Sequence, residues 1–174
     1  MSFSSINLKG QGFKETHILS FVSPSSQSLA NLRASLSGEK WENYLDLVGP
    51  FVENVRVSAG NATQVYNAEQ FYPIGQVWSF KVKSKHVPQF SQAFAKLMQT
   101  FEAPGFVGLA NVTHGISNGE NLLIYGTYPN LNSAFTFGPK NENEVKAFSV
   151  FNDLVGDISE FTQSWTRVLI KSYE

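Results

Sequence analysis

Between residues 75 and 173, two stretches with helical apolar spacing stand among four short aromatic and β-branched stretches, and that order leaves few folds open. The four stretches are 75–83, 106–114, 121–128 and 165–173, each short enough and rich enough in Val, Ile, Thr and aromatics to form a strand. Between the first two, residues 86–101 carry Phe90, Phe94, Leu97 and Phe101 at helical spacing. Pro88 suits the first turn of that helix, and Ala103-Pro-Gly ends it. Between the last two, residues 144–163 align Val145, Phe148, Phe151, Leu154, Val155, Ile158 and Phe161 on one stripe, which predicts an amphipathic helix. The turn at 115–120 and Pro129 punctuate the strands. The order β-α-β-β-α-β is the split βαβ, or ferredoxin-like, unit.

Such a unit has helices on one face of its sheet and nothing on the other, and the bare face must find a cover. The first half of the chain suggests one. Asp46–Gly49 and Asp153–Gly156 both read DLVG, each with an aromatic two residues earlier (Tyr44, Phe151) and a glutamate four residues later (Glu53, Glu160). HILSFVSPSSQS (17–28) matches LLIYGTYPNLNS (122–133), with Pro24 on Pro129 and Ser28 on Ser133. Residues 17–67 therefore read as a second β-α-β, and 6–13 as a strand forming a hairpin with 17–23. The expected fold is α+β: tandem ferredoxin-like repeats, an incomplete first copy in 1–74 and a complete second in 75–174, arranged as a barrel-like pseudo-dimer. In this arrangement DLVG lies on an outer helix. Leu and Val face the sheet, Asp46 and Asp153 face solvent, and Gly49 and Gly156 permit close helix–sheet approach. Glu53 and Glu160 fall on the two outer helices, too far apart for a glycosidase pair.

Composition excludes several classes of function. A net charge of −1 without a basic tract argues against nucleic acid and anionic lipid as partners. With no cysteine, disulfides, thiolate catalysis and Cys-ligated zinc are ruled out. No apolar run approaches the ~20 residues of a membrane span, and no leader pattern opens the sequence, so the expected location is cytoplasmic. The three histidines, His17, His86 and His114, form no ligand-spaced pair, so no metal is expected. Gly10-Gln-Gly reads as a turn, and there is no GxSxG. The chain carries fifteen Phe, which where incompletely covered line pockets or interfaces.

Residues 103–135, APGFVGLANVTHGISNGENLLIYGTYPNLNSAF, resemble the middle of the dimeric α+β barrel superfamily, which includes antibiotic-biosynthesis monooxygenase-like, stress-responsive barrel and haem-degrading proteins. The matching features are Pro104-Gly105-Phe106 opening the second strand, a glycine-containing turn, and a third strand followed by a polar stretch before Ala134-Phe135. The superfamily's Trp near the end of that strand is Tyr128 here. The resemblance covers 75–174, and 17–67 through the internal repeat. The Asn, Trp and His that surround haem in the haem-degrading members have no matching set. Trp78 stands where the Asn is expected, so haem degradation is not implied. Cofactor-free monooxygenases of the superfamily use pocket aromatics and a substrate that itself reduces oxygen. For such a pocket the resemblance points to Trp78, Phe80, Asn111, Tyr125 and Tyr128, with His114 at a nearby strand end. The plainer reading is that these aromatics fill the core, as barrel interiors usually are filled.

Fold is not function. The expected function is binding of a small aromatic or apolar molecule, or a structural role, without a cofactor. The alternative is a cofactor-independent monooxygenase. The two halves would satisfy one another within one chain, with a homodimer as a further possibility.

Overall fold

The pattern of residues 74–172 becomes, in the computed structural model, β4 (Ile74–Val82), α3 (Val87–Met98), β5 (Val107–His114), β6 (Leu122–Tyr128), a short α4 (Leu131–Phe135), α5 (Glu142–Val155) and β7 (Ser159–Ser172). Before them come β1 (Ser2–Lys9), β2 (His17–Ser20), α1 (Ser26–Ser35), α2 (Glu39–Val48) and β3 (Ala59–Tyr66). The structure describes residues 1–173 except 54, 55 and 117, so part of the expected turn at 115–120 lies outside the described residues. No described helix is long and apolar enough to cross a membrane.

All seven strands join one antiparallel sheet in the order β2-β1-β7-β4-β6-β5-β3. Within it, β7-β4-β6-β5 is the strand order of a single split βαβ unit. α3 and α5 pack on one face of that unit because their apolar stripes match the alternation of the strands below. Phe90, Phe94 and Leu97 of α3 meet Phe151 and Val155 of α5 over Val82, Leu109 and Leu122. Phe90 is fully buried, and its ring meets Phe151 edge to face at 5.6 Å. Burying each such side chain contributes about 1.5–3 kcal/mol before entropy is subtracted.

α5 starts earlier and stops sooner than its apolar stripe predicts. Asn141 caps it, accepting a hydrogen bond from the Glu144 N–H at 3.0 Å. The buried Glu144 carboxylate accepts from the Lys140 N–H at 2.6 Å and the Glu102 N–H at 3.4 Å, pinning the end of the α3–β5 connection. At the other end the helix closes at Gly156, and the chain re-forms as β7 from Ser159. Phe161 thus sits opposite Phe80 in a strand and is more than half exposed. Pairing with β4 outcompetes the helical stripe here. Glu160 likewise lies on β7, bridged to Lys81 at 3.2 Å, rather than on a helix.

Residues 1–66 build no second sheet of their own. β1 and β2 form the expected hairpin, with Gly12 supplying the positive φ (+89°) of its turn. They occupy one edge of the sheet and β3 occupies the other. The sheet curls far enough that its two edges approach. Arg56, which leads into β3, bridges Glu15, which leads into β2, at 3.2 Å and lies over the Phe13 ring.

The matched segments share local detail. Ser25 and Asn130 are both N-caps whose side-chain oxygen accepts from the N–H three residues on. Both DLVG motifs close a helix, and Gly49 and Gly156 keep α-helical angles. Neither glycine serves close helix–sheet approach, since a Cβ at Gly49 would meet nothing within 4 Å. Asp46 and Asp153 are exposed as expected, yet Leu47 is also 73% exposed, and α1 and α2 bury no residue at all. The matched helices therefore differ in energetic weight. Phe151→Ala is expected to cost about 3–5 kcal/mol of unfolding free energy in a urea titration, whereas Leu47→Ala changes it by less than about 0.5 kcal/mol.

Candidate functional site

Arginine 167 stands inside the apolar run WTRVLI, where strand alternation turns it to the sheet face opposite α3 and α5. Gly75 faces it in register on β4. A Cβ at Gly75 would lie 2.6 Å from the Tyr125 hydroxyl and 2.7 Å from Arg167 Nε, so the missing side chain is what makes room for the pair. Arg167 is only 4% exposed. Its Nε–H donates to the Tyr125 hydroxyl oxygen at 2.9 Å, Nη2 donates to the same oxygen, and Nη1 donates to the Pro73 carbonyl at 3.0 Å. The guanidinium lies 5.2 Å from the Phe71 ring centroid and 5.7 Å from that of Tyr125. Phe106 packs edgewise on Phe71 at 5.7 Å and leans on Tyr125 at 5.9 Å.

A buried cation normally has a carboxylate beside it. Neither ion pair among the described residues involves Arg167. Three of its five N–H donors are used, leaving two without a partner among the described residues. Burial pushes the Tyr125 phenol up, and the Arg167 charge and hydrogen bond bring it only part of the way back. Tyr125 is therefore protonated at neutral pH. Its oxygen already accepts from Arg167, so its own proton is the one it can offer. The site is a positive, donor-rich spot walled by three aromatic rings, suited to an oxygen anion attached to a flat apolar body.

A second feature lies along β7. An open cleft of about 1240 Å³ is lined by Trp165, Phe13, Arg56 and the Lys81–Glu160 pair, with the Phe13 ring 5.9 Å from that of Trp165. Its polar floor is organised by Glu120, whose carboxylate accepts from Thr162 and, at 3.0 Å, from Gln163. Arg167 and Tyr125 do not line this cleft.

The structure does not bring the six sequence-predicted site residues to one place. Trp78 and Tyr128 share a packed cluster around Phe137, at 5.0 and 6.0 Å. Phe80 packs on Phe90 and Phe161. Asn111 pairs in register with Leu122 and hence shares the helix-side face; its buried Oδ1 has no hydrogen-bond partner. His114 is exposed at the end of β5, its Nδ1 bonded to Thr113 Oγ1 at 2.9 Å. Tyr125 is on the other face of the sheet, beside Arg167. Among the described residues no group of acidic and histidine side chains is disposed to hold a metal. Sequence reasoning missed Arg167, Phe71 and Phe106. The one available signal was a lone arginine in an otherwise apolar strand.

No protein-family model and no curated protein matches this chain. A solved structure described as an anthrone oxidase-like protein is similar in fold. It has a TM-score of 0.56 and 13% sequence identity, over 98% of this chain and 77% of that one. At that identity the likeness concerns the fold alone.

Two outcomes follow from this geometry. Gly75→Ala is expected to displace Tyr125 or Arg167 and to cost about 2 kcal/mol or more, as overpacking beside a buried charge does; chemical denaturation reads it. Burial also raises the Tyr128 phenol. With folded pKa values above the unfolded value of about 10, Tyr125 and Tyr128 stabilise the fold fully below pH 10. That contribution falls by up to about 1.4 kcal/mol per pH unit per group as pH rises further. Tyr128→Phe, which keeps the ring, should make the loss between pH 10 and 11.5 measurably shallower.

Proposed function

We propose that this chain is a small-molecule-binding barrel whose ligand is an aromatic compound with an acidic oxygen, held by Arg167 and Tyr125. The observation that carries this reading is the buried guanidinium without a carboxylate and with two unspent donors. An enolate, phenolate or carboxylate would complete its hydrogen bonding, and the rings of Phe71, Phe106 and Tyr125 would hold the flat body behind it. Phe71, half exposed over the guanidinium, is the side chain that would swing aside to admit it. The barrel itself belongs to the same proposal. Residues 1–74 and 75–174 are two copies of one ferredoxin-like plan, the first incomplete. The shared DLVG helix ends, the matching N-caps of Ser25 and Asn130, and the curl that brings Arg56 to Glu15 support it.

A second reading is favoured by the fold neighbour. If the bound molecule is an anthrone-like ketone, its enolate is electron-rich enough to reduce dioxygen. The protein then acts as a cofactor-independent oxidase or monooxygenase by stabilising that anion. The test is titration of the intact protein with hydroxylated anthrones and their fully methylated ethers, followed by Trp fluorescence, with oxygen uptake recorded in parallel. The expected outcome is binding of the ionisable compounds at least tenfold tighter than their ethers, and loss of that preference in Arg167→Met and Tyr125→Phe variants that retain their circular dichroism. Equal binding of ethers and phenols, or none, overturns the anion site. Oxygen uptake that depends on Arg167 selects the oxidase reading, and binding without uptake selects the binding protein.

A further inference from the structure

Asn118-Gly119 is the one Asn-Gly pair of the chain, and it sits in the connection between β5 and β6. Every other asparagine is followed by a residue with a side chain. An asparagine side chain can be attacked at Cγ by the main-chain nitrogen of the next residue, closing a five-membered imide ring. A Cβ on that next residue crowds the approach, and glycine has none. Gly119 also stands at φ +85°, a conformation open to glycine, and both residues are exposed.

Three features of the fold favour the attack here. Asn118 Oδ1 accepts a hydrogen bond from the Glu120 N–H at 3.2 Å, which lays the side chain back along the Gly119 amide. That N–H also points at the oxygen on which negative charge develops as Cγ becomes tetrahedral, so it acts as an oxyanion donor. The Gly119 N–H donates to none of the described residues, so no acceptor among them holds its proton. Lys81 runs beside the turn, since a Cβ on Gly119 would lie 3.7 Å from its Cδ, and a cation there favours loss of that proton. Asn61 and Asn67, each followed by alanine, lack this setting. Asn61 is paired in the ladder opposite Asn111, and the Asn67 amide donates to the carbonyls of Ala103 and Gly105, both at 3.2 Å.

We infer that Asn118 is a site of spontaneous self-modification, converting through a cyclic imide to aspartate and isoaspartate. The Gly119 nitrogen gives up its proton and bonds to Asn118 Cγ. The Cγ–Nδ2 bond breaks, and ammonia leaves with that proton. Water then opens the ring. Opening at Cγ leaves an ordinary aspartate, and opening at the main-chain carbon routes the chain through the side chain as isoaspartate. The net change is asparagine plus water to aspartate plus ammonia.

The product alters the cleft along β7, whose lining includes Asn118, Lys81, Glu120 and Glu160. A neutral amide becomes a carboxylate beside Lys81, which otherwise bonds Glu160 at 3.2 Å. The isoaspartyl form adds a main-chain atom to the turn. Asn121 does not take up that length, because its side chain bonds both main-chain groups of Val82, at 2.9 and 2.8 Å. The slack falls on Glu120 and loosens its bonds to Thr162 and Gln163. This site is independent of the one at Arg167.

The test is incubation of the full chain in mildly alkaline, isotopically labelled water, once folded and once in urea, with peptide mapping that separates aspartate from isoaspartate. The expected result is conversion at Asn118 roughly tenfold or more faster than at any other asparagine, slower in urea, with label in both products and none at that position in Asn118→Gln. Conversion that is faster in urea, or no faster at Asn118 than elsewhere, overturns the site. Labelled aspartate without isoaspartate means direct hydrolysis, and the cyclic route is wrong. Amide exchange at Glu120 and Asn121 is expected to quicken about tenfold in the isoaspartyl form, and unchanged exchange overturns the effect on the cleft.

Discussion

Strand β7 carries main-chain pairing on both of its sides, to β1 from Ser2 to Lys9 and to β4 from Ile74 to Val82. Through it the hairpin of the first half is joined to the ferredoxin-like unit of the second. Its one face contributes to the helix-covered core, and its other face carries Trp165 and Arg167. Both pairings contain register shifts, near Ile6 and Leu8 and near Ser79 and Phe80. Bulges of this kind add twist, and twist is what curls seven strands until Arg56 reaches Glu15. A flat sheet with the same pairings would leave the edges far apart.

Much of this architecture is legible in the residues, for physical reasons that differ by element. The helix at 87–98 is readable because Phe90, Phe94 and Leu97 leave no other periodicity open, and its limits follow from Pro88 and Pro104. The end of α5 is not readable from its stripe. Ile158 and Phe161 continue the helical spacing by coincidence, and only the availability of β4 as a pairing partner decides for strand. The first half shares with the second the DLVG helix ends and the N-caps at Ser25 and Asn130. Where its strands pair, at two opposite edges of one sheet, depends on the strand order of the whole sheet and is written in no local window.

The candidate site is less legible still. Arg167, Gly75 and Tyr125 come from three separate stretches of the chain that strand register places together, and the segment before β4 lays Phe71 over the guanidinium. Six residues chosen for aromatic character or position fell on both faces. Four of them, Trp78, Phe80, Asn111 and Tyr128, share the helix-side face with the packed core. Aromaticity marks places where area is buried, and core and pocket make the same demand for it. A charge where alternation demands burial is the rarer and more discriminating sign, because desolvating it costs several kcal/mol unless partners are supplied.

The Met1 ammonium donates to the carbonyl of Tyr173, 172 residues away, at the outer end of the β1–β7 ladder. Closing so long a loop is slow, since its entropy is lost before any contact compensates. Of the seven strands, β1 leaves the ribosome first and β7 last. Throughout synthesis, then, the β1–β2 hairpin waits without its inner neighbour, and β4 without one of its two. Only when the last strand emerges can the sheet zip through its middle. Assembly of the sheet therefore waits until β1 and β7 are both available, and strand edges stay unpaired until then.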